Sequence, residues 1–218
     1  MLVPVERHGS VEQIDLVPSK IIGIGVNYRA HAVEMGKGIP EEPLMFLKPR
    51  SALLPEGFPI ERPAGYDQVH YEGELGVVIG RRCRRVSVES ALDYVFGYTV
   101  VCDVTARDLQ KKDGQWARAK GFDTFCPTGP FVVGGVDPGN LRLSLTVDGV
   151  LKQQGTTADM VFDVAKIVAH VSSFTTLLPG DLIATGTPEG VGALSPGNTV
   201  EVSVESVGTL RFTVAGEA

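Results

Sequence analysis

Paired cysteines, a basic excess and long apolar runs are all missing from this 218-residue chain. Its three cysteines, Cys83, Cys102 and Cys126, lie far apart with no CxxC spacing. That excludes a disulfide framework and a thiolate zinc site, and it reads them as core residues of a protein kept in a reducing cytoplasm. Lys plus Arg number 20 against 26 Asp plus Glu, a net charge of −6. A dedicated nucleic-acid binder or a polybasic membrane protein carries a basic balance or stripe, so neither class is expected. The longest nearly apolar run, 94–102, is far shorter than the roughly 18 residues of a membrane helix. The opening MLVPVERHGS has no apolar core after a basic start, so no secretory signal is expected. There is no Walker loop, and GIGVNY is not a GxGxxG fingerprint.

What is present is a chain with 43% apolar and 21% charged residues, enough to bury one core. The length fits one domain spanning 1–218. The 26 glycines and 14 prolines are spread throughout, which points to many short elements joined by turns. Strands are predicted at 20–28, 44–48, 70–80 and 95–103. A short, loosely held helix followed by a loop is predicted over 29–43. Ser87 is placed to cap a short helix ending near Tyr94, and 104–112 has helical composition closed by Asp113-Gly114. Alternation on both sides of Asp148-Gly149 predicts a hairpin over 141–155. An amphipathic helix is predicted within 158–177, with Met160, Val161, Val164, Ile167, Val168 and Val171 at helical spacing. A second hairpin is predicted over 199–214. The sum is an α+β domain dominated by β-structure.

Several acids and bases stand where chemistry could use them. Glu72 and Glu74 flank a glycine in a predicted strand, so their side chains share a face about 7 Å apart. They are either a solvated face or oxygen ligands for a hard cation. Asp103 either caps the next helix or joins them. With Arg107 and Gln110 it follows an i, i+4, i+7 spacing, which on a helix sets an acid, a guanidinium and an amide on one face. Arg107 suits a carboxylate, because its planar fork binds two oxygens. His31 and Glu34 form an i, i+3 pair in which the carboxylate orients the imidazole, as a general base requires. Lys48 and Lys120, beside apolar residues, either reach solvent or give an acidic protein local positive charge for anions. TGTPEGVG, 185–192, allows close backbone approach, and the amide or hydroxyl of Thr187 could hold a carboxylate; the alternative is a plain turn. His8, His70 and His170 have no evident partners, and Trp116 reads as a core residue.

Six stretches taken together, IGVNYRAHAVE, FLKPRSALLPEG, YEGELGVVIGRRCRRV, DYVFGYTVVCDVTARDLQ, WARAKGFDTFCPTGP and GDLIATGTPEGVG, occur in an order that resembles the fumarylacetoacetate hydrolase superfamily. The length is similar to its short acylpyruvase and oxaloacetate decarboxylase members. The resemblance implies a mixed β-sandwich roll and a homodimer. It implies that Glu72, Glu74 and Asp103 ligate Mg²⁺ or Mn²⁺, and that His31 and Glu34 belong to a lid over 29–43. It assigns catalysis to His31, Glu34 and Lys120, and contact with a small dioxo-acid substrate to Arg107, Gln110, Thr187 and Lys48. The activity so implied is cleavage of a C–C bond in 2,4-dioxo acids, by acylpyruvate hydrolysis or oxaloacetate decarboxylation, through a pyruvate enolate stabilised by the cation. The alternatives are oxaloacetate keto–enol tautomerisation, 2-hydroxyhepta-2,4-diene-1,7-dioate isomerisation, or a catalytically silent metabolite-binding protein. Residues 36–42 and 50–70 are expected to set substrate preference.

Overall fold

Two β-layers face one another across a shared apolar core, in a computed structural model that describes residues 2–7 and 10–217. His8 lies outside the described residues. The larger, mixed sheet runs in the order Ser10–Asp15, Leu2–Arg7, Cys126–Val133, Val95–Cys102, Gly73–Ile79, Leu182–Ala184, Ile21–Gly25, Leu44–Lys48, and Leu53–Pro55 also pairs with Cys126–Val133. The second sheet holds Val150–Thr156, Arg142–Val147, Thr199–Val204, Gly208–Glu217 and Pro59–Arg62. Leu75, Val77 and Ile79 alternate toward the second sheet, where Leu143, Leu145, Val200 and Val202 meet them. Val78 and Val101 point the other way, into a smaller cluster with Ile21, Cys126 and Leu182. The strand Gly73–Ile79 is therefore buried on both faces, which explains its nearly continuous apolar sequence. Burying each such side chain contributes about 1.5–3 kcal/mol. The expected β-dominated sandwich is the observed architecture.

Some local expectations are corrected. The strand expected over 70–80 is two strands, Val69–Tyr71 and Gly73–Ile79, in different sheets, with Glu72 at the break. Val69–Tyr71 turns away to pair with Thr105–Ala106 and Gly192–Ala193. That pairing also delays the helix expected from residue 104, which spans only Arg107–Asp113 and ends at Gly114 with φ 69°. Ser87 does not cap the short 3₁₀ turn, which is Ala91–Tyr94 and has no side-chain cap; the Ser87 hydroxyl meets that of Ser90. The amphipathic helix spans Val164–Phe174, capped by Asp163, whose carboxylate accepts from the Lys166 amide at 2.8 Å. Met160 and Val161 precede it, and Met160 instead forms a β-bridge with Tyr28. Among the described residues no helix is long and apolar enough to cross a membrane.

The turn that follows Ile21–Gly25 aims the site. Val26 sits at φ 58°, a region that β-branched residues avoid, so the surroundings must impose it. Asn27, fully buried, does so with three hydrogen bonds. Its amide donates to Phe162 O at 3.0 Å and Thr185 O at 2.7 Å, and its Oδ1 accepts from the Phe162 amide at 2.9 Å. Asn27→Ala leaves those backbone groups buried and unpaired, and is expected to lower stability by about 2–4 kcal/mol. Urea unfolding at unchanged m-value checks it; a loss within a few tenths of a kcal/mol would contradict this account.

Candidate metal centre

Glu72, Glu74 and Asp103 converge at the C-terminal end of Val95–Cys102 and the break before Gly73–Ile79. The Asp103 amide donates to Glu72 O at 2.8 Å, which locks the two turns together. One oxygen of each carboxylate lies within 4.8 Å of the others, and all three residues are buried. Asp103 reaches this cluster from the connection after its strand, not from a helix, so it shares no helical face with Arg107 and Gln110.

Each acid is answered differently. Arg107 Nη2 donates to Glu72 Oε1, and its Nη1 donates to Gln110 Oε1 at 2.7 Å. Lys120 Nζ bridges Glu72 Oε2 at 2.7 Å and Asp103 Oδ2 at 2.5 Å. Lys48 Nζ donates to Asp103 Oδ1 at 2.5 Å and to Val104 O at 3.3 Å. Among the described residues no such cation bonds to Glu74; it accepts the Gly186 amide at 2.7 Å. Burial pushes the Glu72 carboxyl up, but Arg107 and Lys120 outweigh it and hold the pKa well below the usual range. Glu74 shows the opposite: burial, then Asp103 and Glu72, push it well above that range. Burial works against the Lys120 ammonium, yet Asp103 and Glu72 more than offset it and raise its pKa. Three hard oxygen donors in a protein interior, one of them short of positive charge, are a donor set that suits an octahedral divalent cation.

The six-residue helix Arg29–Glu34 sits above this cluster. His31 Nδ1 meets Glu34 Oε2 at 2.8 Å, and Glu34 Oε1 accepts from the Gly190 amide at 2.9 Å. The His31 Nε2 atom has no protein partner among the described residues, and His31, Glu72, Glu74, Arg107 and Lys120 line one cavity. The loop 185–192 thus does more than turn: its amides hold both Glu74 and Glu34.

The polar groups of two expected substrate contacts bond within the protein. Lys48 lies behind the acids, its side chain wholly buried on Asp103. Thr187 lines the cavity, but its hydroxyl donates to Gly73 O at 2.9 Å and accepts from Gln153 Nε2 at 2.7 Å. His70, expected to lack partners, makes a long 3.5 Å contact with Arg107 Nε; burial and then Arg107 push its pKa down to about 4. His170 packs its ring on Phe174. Trp116 is half-buried against the cavity and not a core residue, and Lys37 lies beside it. Neither carried a sequence signal, because a lone indole and a lysine among glycines have no diagnostic spacing.

A β-sandwich with a buried acidic triad under a His–Glu pair defines an enzyme-like class of site. The family model for the fumarylacetoacetate (FAA) hydrolase C-terminal domain matches residues 20–215, and the chain belongs to that family. It is 45% identical over 197 residues to the mitochondrial oxaloacetate decarboxylase of Dictyostelium discoideum, covering 87% of this chain and 90% of that one. Its fold matches the crystal structure of 2-hydroxyhepta-2,4-diene-1,7-dioate isomerase from Mycobacterium marinum with TM-score 0.87 and 47% identity, covering 94% of this chain and 78% of the other. It also matches fumarylpyruvate hydrolase from Pseudomonas aeruginosa, in complex with Mn²⁺ and pyruvate, with TM-score 0.90 and 35% identity over 99% of this chain and 97% of that one.

The opposed shifts of Glu72 and Glu74 make stability depend on pH at both ends. Glu72, depressed, contributes stability above the ordinary carboxyl range that is lost as pH falls. Glu74, raised, contributes stability at low pH that is lost as pH rises through its folded pKa. Glu74→Gln keeps an acceptor for Gly186 and removes the second loss. The metal-free variant is expected to be stabler at pH 8 by roughly 1 kcal/mol, about 2–4 °C in Tm, and to lose the Tm rise that Mg²⁺ or Mn²⁺ produces in the parent. Thermal melts with and without EDTA from pH 5 to 8 check both; an undiminished metal-induced rise would remove Glu74 from the ligand set.

Proposed function

We propose that this protein cleaves the C3–C4 bond of 2,4-dioxo acids with Mg²⁺ or Mn²⁺, by hydrolysis of acylpyruvates or by decarboxylation of oxaloacetate. The observation that carries this reading is the buried Glu72–Glu74–Asp103 cluster facing the same cavity as an oriented His31. The likeness to a hydrolase crystallised with Mn²⁺ and pyruvate and to an oxaloacetate decarboxylase supports it.

Glu72, Glu74 and Asp103 would hold the cation. When bound, it supplies Lewis-acid polarisation of the 2-oxo acid and a sink for the charge left by bond scission. In hydrolysis His31 Nε2 takes a proton from the water that adds to C4, while Glu34 fixes the ring through Nδ1. The C3–C4 electrons pass to the three-carbon fragment as pyruvate enolate. His31 returns its proton to C3, releasing pyruvate and a carboxylic acid. Lys120, kept charged by Asp103 and Glu72, would stabilise the oxyanion at C4. With oxaloacetate no water is needed: CO₂ leaves and C3 takes a proton. A homodimer is part of this proposal, as is a reducing, cytoplasmic setting, which fits the buried free thiols of Cys83, Cys102 and Cys126.

A second reading, movement of a proton at C3 without bond cleavage, is supported by the likeness to an isomerase. Pyruvate release separates the two. Metal-loaded protein is expected to release pyruvate from acetylpyruvate or oxaloacetate and to stop in EDTA. His31→Ala is expected to lower acetylpyruvate kcat/KM about 10²–10⁴-fold with metal binding unchanged. Loss of the enol absorbance without pyruvate would favour isomerisation, ligand stabilisation without any product would favour a silent binder, and full turnover by His31→Ala would remove its role as base.

A further inference from the structure

Lys37 is held at the cavity mouth by its backbone. The helix Arg29–Glu34 closes through Gly36 at φ +62°, with the Gly36 amide on Val33 O at 3.0 Å and the Lys37 amide on Ala32 O at 2.9 Å. This paired closure fixes the direction in which the chain leaves the helix. The Lys37 ammonium lies 4.7 Å from the centroid of the Trp116 ring. The indole is itself fixed. It rests on Gly25, where a Cβ would come within 2.5 Å of it, and against Phe46 with ring centroids 5.5 Å apart.

The cations around the cavity differ in commitment. Arg107 and Lys120 are bonded to Glu72, and Lys120 and Lys48 to Asp103. Lys37 lines the same cavity and makes no ion pair with a carboxylate among the described residues. Burial, then the positive charges of Arg107 and Lys120, hold its pKa below the ordinary lysine value. An exposed ammonium on the cavity lining with no carboxylate partner among the described residues can pair with an incoming anion and gains nothing from a methyl group.

We propose that Lys37, seated on Trp116, binds a second carboxylate at the far end of the substrate, so that the protein selects oxo-diacids over oxo-monoacids of equal length. This rests on the oxo-acid reading above, in which the inner end of the substrate meets the acidic cluster.

Calorimetry on the Mg²⁺-loaded protein tests it with matched unreactive pairs: 2-oxoadipate against 2-oxohexanoate, and 2-oxoglutarate against 2-oxovalerate. The parent is expected to bind at least one diacid roughly tenfold tighter than its monoacid, the effect of one charge-assisted contact. Lys37→Met is expected to bring that ratio near one without changing monoacid affinity, and Lys37→Arg to keep most of it. Trp116 is the only tryptophan, so diacid binding should also change its fluorescence, in the parent and not in Lys37→Met. Monoacid binding with no diacid preference, or a preference that survives Lys37→Met, overturns the assignment of Lys37 alone. Failure of every 2-oxo acid to bind overturns the oxo-acid reading and this inference with it.

Discussion

Three carboxylates held together out of water are the constraint on which the rest of this structure depends. Removing one ion from water costs several kcal/mol even after relaxation, and like charges at this distance repel. The fold answers with cations drawn from three separate places: Lys48 from the edge strand Leu44–Lys48, Arg107 from the first turn of Arg107–Asp113, and Lys120 from the end of Ala117–Lys120. A chain with net charge −6 thus turns scarce positive charge inward. Glu74, which among the described residues receives a backbone amide and no cation, is the acid left without a positive partner, and that is what would draw a divalent cation to it.

The apolar sandwich and the loops divide the work. The sheets set where the strands end, and so where Glu72, Glu74 and Asp103 meet. The loop 185–192 then couples that cluster to the His31 helix, since one amide holds Glu74 and another holds Glu34. Two of its glycines are required by geometry. Gly186 at φ +102° lies against Asn27, and Gly190 at φ +96° would set a Cβ 2.1 Å from Lys152 O. A side chain at either position would push the loop off the acids it holds.

Much of the architecture was legible because the signals were local. The Asp148-Gly149 turn with alternation on both sides is a hairpin, and LMFLK is a strand at Leu44–Lys48. The grouping of Glu72, Glu74 and Asp103 came from the family resemblance, because local pattern left a solvated strand face and a helix cap open; the structure shows all three buried together. The errors fall where pairing between distant segments overrode local preference. Thr105–Ala106 pairs with Val69–Tyr71, so the start of the expected helix becomes strand and the expected helical face for Asp103 disappears. The Lys48 ammonium and the Thr187 hydroxyl bond within the protein, to Asp103 and to Gly73 O, although Thr187 still lines the cavity.

By itself, local pattern determined a β-dominated α+β chain and the His31–Glu34 pair, because patterning and i, i+3 spacing act over a few residues, while the three acids were grouped by the resemblance of six ordered motifs. Only the tertiary structure decided which cation answers which acid, that Trp116 forms a cavity wall, and that Lys37 is left facing the opening. Those outcomes depend on distances between segments far apart in the chain, which are set by how two sheets pack and not by any local run of side chains.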